Sequence, residues 1–464
     1  MHSSILVELK KTVFLAFALV LCSSAMFGRF VIPVEASGTI YIREDGSIEP
    51  LTANITTADN VTYYFTDNNY DEIVVERDNI VIDGAGYTLQ GMGSGIGIDL
   101  TGRSDISLKN VEIAAFKMGI QLHQSSNNSI SGNNIIENDY GIDLGWSSYQ
   151  AIFGNNITNN RTGIWLAYSS NNSISGNYVT GDSSGVSIQF SSDNSVSGNT
   201  IVANGTGIII LRGGSSSVSG NTIIARENGI ALSYSSNNNV GGNNITKTTP
   251  GWFAIELTRS SNNIIIGNIL VSNTYCVGLS DNSDSNIITG NTITASKNVT
   301  YPYPLISYGI TLGWSSHNSI TENTLTNNDY GIHLDSLSSD NKFYHNNFIN
   351  NTNSAHGWTN GAVSVWDDGY PSGGNYWSDY TGEDANGDGI GDTPYVIDED
   401  NQDNYPLMSP WSPKASAVVP FWMQWWFWAI IFIVIVALVG AAYLLKREKP
   451  SIPTVPPLPS EGIT

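Results

Sequence analysis

The sequence predicts an all-β protein, a right-handed parallel β-helix, on three observations. The first is a fixed period. Gly119-Ile120-Gln121-Leu122 returns 22 residues later as Gly141-Ile142-Asp143-Leu144, then as Gly163-Ile164, Gly185-Val186, Gly207-Ile208 and Gly229-Ile230. One step back lies Gly97-Ile98; after a looser passage through Ala254-Ile255 and Gly278-Leu279, the step recovers between Gly309-Ile310 and Gly331-Ile332. A second phrase, Gly132-Asn133 through Gly242-Asn243, keeps the same time. A period in the twenties marks a solenoid. The second observation is what fills a period: short runs of alternating apolar and polar residues separated by Gly, Asn and Ser, with no helical stripe. The third is elimination. A leucine-rich repeat needs a Leu-dense consensus and a propeller blade about 40 residues. Three short strands and three turns fit 22 residues, each coil bonding to the next about 4.8 Å away.

In Gly-Ile-x-Leu, Ile and Leu point into the bore and x points out. Like then stacks on like, and aliphatic ladders keep water out of the axis. Asn128, Asn172, Asn194 and Asn238 stand at one phase, where stacked amides can bond along the rod. Gly and Asn also accept the left-handed corners. The Gly/Ala landmarks span a rod of roughly 50 Å at this spacing.

Taken in order, residues 1–36 read as an export signal. Lys10-Lys11 precede an apolar run, and Val34-Glu35-Ala36 offers a cleavage site; an uncleaved anchor is the alternative. Residues 37–96 supply the N-terminal cap and first coils, since an open solenoid end invites pairing with other chains. Residues 97–346 are the repeats. Residues 347–411 change character, with Trp358, Trp366, Tyr370, Tyr376, Trp377 and Tyr380, and read as a C-terminal cap. Residues 412–417 are a linker. Residues 418–445 read as one membrane span, opening on Trp422, Trp425, Trp426 and Trp428 and followed by Lys446, Arg447 and Lys449. That orientation leaves the rod outside the cell membrane and the Pro-rich tail, 446–464, in the cytoplasm.

The run Ile80-Val81-Ile82-Asp83-Gly84-Ala85-Gly86-Tyr87-Thr88-Leu89, followed by coils of Asn-Ser-Ile-Ser-Gly-Asn type, resembles the NosD-like right-handed β-helix proteins, within the wider group of carbohydrate-binding proteins and sugar hydrolases. The resemblance covers about residues 39–410. It implies an exported protein, with founding members linked to copper delivery and others in the broad group that are polysaccharide lyases, epimerases or hydrolases. The fold alone does not choose among them.

Composition narrows the classes. Net charge is −22, with 19 Lys and Arg against 41 Asp and Glu, so the basic footprint of a nucleic-acid binder is absent. Of the two cysteines, Cys22 lies in the leader, leaving Cys276 alone and no disulfide framework. Ten Asn-x-Ser/Thr sequons, among them Asn54, Asn60, Asn127, Asn156 and Asn244, are candidate glycosylation sites.

Three features could carry chemistry. Asp384-x-Asn386-x-Asp388-Gly389-Ile390-x-Asp392 offers oxygens at positions 1, 3, 5 and 9 and a carbonyl at 7, the pattern of a structural Ca²⁺ loop. Tyr395 replaces the usual Glu at position 12, so Asp398, Asp400 or Asp403 would have to close the shell. Next is the x column, which brings Asp99, Gln121 and Asp143 together, with His123 beside them. Two carboxylates two coils apart suit an inverting glycosidase, and His a general base; a solvated polar face is the plainer reading. His333 with Asp335 forms a second, weaker pair. The third feature is aromatic. Trp146, Tyr168, Phe190, Tyr234 and Trp314 share one phase and Trp165 lies in the x column. Pointing out, such rings stack on sugars; pointing in, they are packing. Copper finds no typical ligand spacing among the six His.

These readings converge on a membrane-anchored cell-surface protein that binds glycan or an envelope partner without catalysis. The alternatives are a polysaccharide lyase, epimerase or hydrolase, and an accessory to copper delivery.

Overall fold

The computed structural model describes residues 38–413, apart from 247–250, 296–298, 301–303, 336 and 358–362. The expected leader, membrane span and tail, and Trp358, lie outside these residues. Among the described residues no helix is long and apolar enough to cross a membrane.

The described chain is a parallel β-helix with three strands per coil, exemplified by Met118–His123, Ser129–Ser131 and Asn134–Ile136. The coils wind in the right-handed sense usual for parallel connections. The Ser129–Ser131 face belongs to a 14-stranded sheet, whose rungs give about 13 coils. Its first pair, Ile55–Thr57 with Thr62–Phe65, is antiparallel, while the preceding strand Thr39–Ile42 already pairs in parallel with Glu72–Val75. The repeat register is as the period predicts: Ile120 pairs with Ile98 and Ile142, and Ile142 with Ile164. All four side chains are wholly buried.

Burying one face of each strand removes water from Ile, Leu and Val, at about 25 cal/mol per Å² of apolar surface. The corners need polar partners, and asparagine supplies them. In the Gly-Asn phrase, the Asn155 Nδ2 donates to Asn177 Oδ1 at 3.0 Å, Asn177 to Asn199, and Asn199 to Asn221, each again at 3.0 Å. Every one of these oxygens also accepts a backbone N–H from the coil before. The ladder runs on through Asn243, Asn268, Asn291, Asn323 and Asn346 to Asn375. The phase expected to stack, Asn128 to Asn238, does so with interruptions: Gln150 and Ser216 stand in for Asn. A serine column, including Ser125, Ser147 and Ser169, closes another corner.

At the C-terminal end, aromatic rings plug the bore. Trp366 stacks on Phe343 and Trp377 on Phe348, both with centroids 4.3 Å apart, and Tyr395 covers Trp377 at 4.1 Å. Asp403 fastens this cap, accepting from Asn375 N, Trp377 Nε1 and Tyr405 N. Burial outweighs these donors and pushes its carboxyl up to about 6.

Candidate functional site

The outward column of the Gly-Ile-x-Leu strands is continuous. Asp99 pairs with Gln121, Gln121 with Asp143, and Asp143 with Trp165. Ser187, Ile209, Ala231 and Glu256 follow rung by rung. The column ends through Gly278, Thr311, His333 and His356. The strand period of two turns all of them to one face, and two polar clusters stand on it.

The first cluster gathers Asp99, Gln121, His123 and Asp143. Asp143 is 4% exposed. His123 Nε2 lies 3.4 Å from Asp143 Oδ2, within ion-pair reach but off-line for a hydrogen bond. The ring can lie there because residue 145 is glycine; a Cβ would sit 2.8 Å from the imidazole. Pairing with Asp143 raises the His123 imidazole above its ordinary value against the opposing effect of burial, and Asp99 adds to the rise. Gln121 Oε1 and Asp143 Oδ1 are buried without a hydrogen-bond partner. A carboxyl group thus holds an imidazole, with Asp99 two rungs from Asp143 on the same column.

The second cluster flanks a cleft of ≈ 240 Å³. Gly278, Ser280, Thr311 and Gly313 line it between Phe253 and Glu256 at one end and His333 and Asp335 at the other. Gly278 leaves room for the Phe253 ring, which an added Cβ would meet at 2.5 Å. Burial raises the Glu256 carboxyl, partly offset by the Asn228 amide. Burial, then the neighbouring His356, lowers the His333 imidazole, while Asp335 opposes them. Tyr275, Tyr308 and Tyr330 form a column of rings at the cleft's margin, with successive centroids 5.5 Å apart.

The phase-sharing aromatics point out, from left-handed corner positions; Trp146 is 61% exposed. Their faces, however, are turned on one another. Trp146 stacks on Tyr168 at 5.2 Å and 6°, and Tyr168 on Phe190 at 5.0 Å and 10°. Arg212 lies over both Phe190 and Tyr234, and Arg259 over Tyr234. This ladder shows ring edges to solvent, because rung spacing equals stacking distance. Trp314 is exposed in the same phase. Trp165, half-buried in the x column, meets Tyr140 at a 54° tilt.

In the acidic loop, Asp384 accepts from the N–H groups of Gly387 and Gly389, Asn386 from Asp388, and Asp388 from Ile390. Asp392 accepts from Ala385. Gly389 has φ +89°, and Ile390 is buried and bridges to Leu407. Two of the carboxylates considered for closing a shell are engaged elsewhere: Asp398 with Asn401, and Asp403 in the cap. Tyr395 donates its hydroxyl to Asp379.

The family described as "Periplasmic copper-binding protein (NosD)" matches residues 51–249, 183–308 and 217–382. The chain belongs to the NosD family. It is similar to the probable ABC transporter binding protein NosD of Stutzerimonas stutzeri, at 36% identity over 115 residues. That is 24% of this chain and 25% of the relative, so the match spans a quarter of that protein's length. Among solved structures it is similar to the Dettilon tailspike protein (TM-score 0.47, 16% identity, 64% of this chain and 62% of that one). It is also similar to the A-module of the mannuronan C-5 epimerase AlgE6 of Azotobacter vinelandii (TM-score 0.49, 14% identity, 66% and 87%).

The family description raises copper, and the described residues do not fit it. Among them no three His, Cys, Asp or Glu side chains gather where one ion could be held. Cys276 is wholly buried, and burial pushes its thiol up. His333 and His356 are neighbours but stack face to face, at 5.9 Å and 25°, so their in-plane nitrogen lone pairs do not converge.

Proposed function

We propose that this NosD-family chain is an exported, membrane-tethered surface protein that binds glycan on its x-column face without transforming it. The observation that supports this most is the cleft between Glu256 and His333. Few but well-placed polar groups, small lining residues and marginal aromatics are what a saccharide site needs. The apolar run at 418–445 with its aromatic opening and basic end supports the tether. We assign the 384–392 loop, through Asp384, Asn386, Asp388, Ile390 and Asp392, to a structural Ca²⁺ on the spacing of its oxygens; the ion would draw together carboxylates that do not gather around one point in this structure. Exposed sequon residues Asn60, Asn127, Asn156 and Asn244 would carry glycans, whereas Asn160 is buried with its amide donating to Ile135 O.

A polysaccharide-active enzyme is the second reading. The His123–Asp143 pair favours it, since a carboxyl that positions and raises an imidazole equips a general base. Glycan-array binding by residues 37–411, with product analysis of each hit, separates the two. Ligands bound and recovered unchanged are expected. Turnover that Asp143→Asn abolishes would replace binding by catalysis, and an array without hits would remove both.

A further inference from the structure

Building on the glycan-binding reading, we propose that this chain binds a linear, neutral polysaccharide lengthwise, along a track from Gln121 and Asp143 to the Glu256–His333 cleft. Three observations converge on this.

The first is alignment. Both polar clusters stand on one unbroken column, and Asp143 and Glu256 are five rungs apart, about 24 Å at the rung spacing. A ligand lying across the rod would meet one cluster only. A ligand lying along it meets both.

The second is relief. Between the clusters the column passes from Trp165 through Ser187, Ile209 and Ala231, and the flanking position of the same strands holds Thr162, Ser184 and Thr206. Apart from Trp165 and Ile209 these are small and buried. The ring ladder from Trp146 to Tyr234 rises along the other margin. A low strip with one raised edge and hydrogen-bonding groups at each end fits an extended chain. The rung repeat is comparable to the advance of one hexose in such a chain.

The third is charge. Neither the x column nor the one beside it carries a Lys or Arg between Asp99 and Asp335, while Asp143, Glu256 and Asp335 are acidic. The marginal cations Arg212 and Arg259 lie over rings, and Arg259 also meets Asp281 at 3.6 Å. A polyuronate would meet like charge at both ends, which opposes binding. A neutral chain carries no charge for these carboxylates to repel, and the half-buried Gln121, His123 and His333 offer polar groups to its hydroxyls.

Two contact regions joined by one ligand raise affinity through effective concentration. The test is calorimetric titration of the full chain with β-1,4-linked gluco-, manno- and N-acetylglucosamine oligomers, and with β-1,4-linked uronate oligomers, of two to eight residues. We expect at least a tenfold gain in affinity from trimer to octamer. Ile209→Arg, which places a long cation in the strip, should return the octamer to trimer affinity and leave the trimer unaffected; Ala231→Arg serves if that variant misfolds. Ser197→Arg, on another face, should change neither. Equal affinity for trimer and octamer, or an octamer indifferent to both arginines, would overturn the lengthwise track while leaving a glycan-binding cleft. Preference for polyuronate would overturn the neutral class. Failure of every saccharide to bind would remove the track together with the reading beneath it.

Discussion

Asn199 shows how much one side chain carries in this rod. Its amide donates to Ile174 O, Ser197 O and Asn221 Oδ1, and its oxygen accepts from both the backbone N and the amide of Asn177. All of this happens at 1% exposure. Asn199→Ala strands the Asn177 N–H and takes its side-chain donor from the Ile174 carbonyl, which keeps its place in the ladder with Val196. A stranded buried group costs about 1–3 kcal/mol, so we predict a loss of about 1–3 kcal/mol in urea unfolding. Asp403 makes the opposite kind of statement. Its carboxyl stands at about 6 in the folded cap against an ordinary value of 3.8, so the folded state binds more protons between those values. Its contribution is therefore fully present below pH 3.8 and is lost as pH rises through about 6. Thermal unfolding of the wild type and of Asp403→Asn, followed from pH 4 to 7, should differ in slope over that window, the variant being flatter. Parallel curves would contradict the assignment.

At the scale of the strand, two recurring glycines do different work. Gly141 opens Gly-Ile-Asp-Leu and lies under the next coil; a Cβ there would sit 2.6 Å from Gly163 O. Gly154 turns the Gly-Asn corner at φ +62° and faces open space. Gly141→Ala should cost about 2–3 kcal/mol, as overpacking does, and Gly154→Ala about 1 kcal/mol, for the left-handed backbone. Reversal of that order in chemical denaturation would contradict the coil contact. The same strands show what was legible in the sequence. Ile120, Ile142 and Ile164 stack because the repeat is 22 residues, and Asp99, Gln121 and Asp143 come together for the same reason. The direction in which Trp146, Tyr168 and Phe190 point was open, because period fixes phase and not the side of the wall at a corner. The Glu256–His333 cleft was hidden. Along the Asn ladder the coil length drifts from 22 to 25, 23, 32, 23 and 29 residues. Lateral neighbours there depend on loops whose length no period records.

At the scale of the molecule, a solenoid survives by closing its ends. The C-terminal end is shut by stacked rings, and the acidic loop rests against the segment that completes that cap through the Ile390–Leu407 bridge. If the loop holds Ca²⁺, metal binding is part of cap stability. A chelator should then lower the melting temperature of the wild type and leave Asp388→Ala unmoved. An unmoved wild type would return the loop to an Asp/Gly turn. The larger claim is that one face of a three-faced rod is the binding surface. Single cysteines at Ile209, Ser197 and Thr200 sample the three faces within one coil. Of the two native cysteines, Cys22 is replaced by serine throughout, and Cys276 is wholly buried and should stay silent. Thiol labelling rates with and without a bound oligosaccharide test the claim most directly. Protection at Ile209→Cys alone is the predicted result; protection at Ser197→Cys or Thr200→Cys, with Ile209→Cys unchanged, would contradict it.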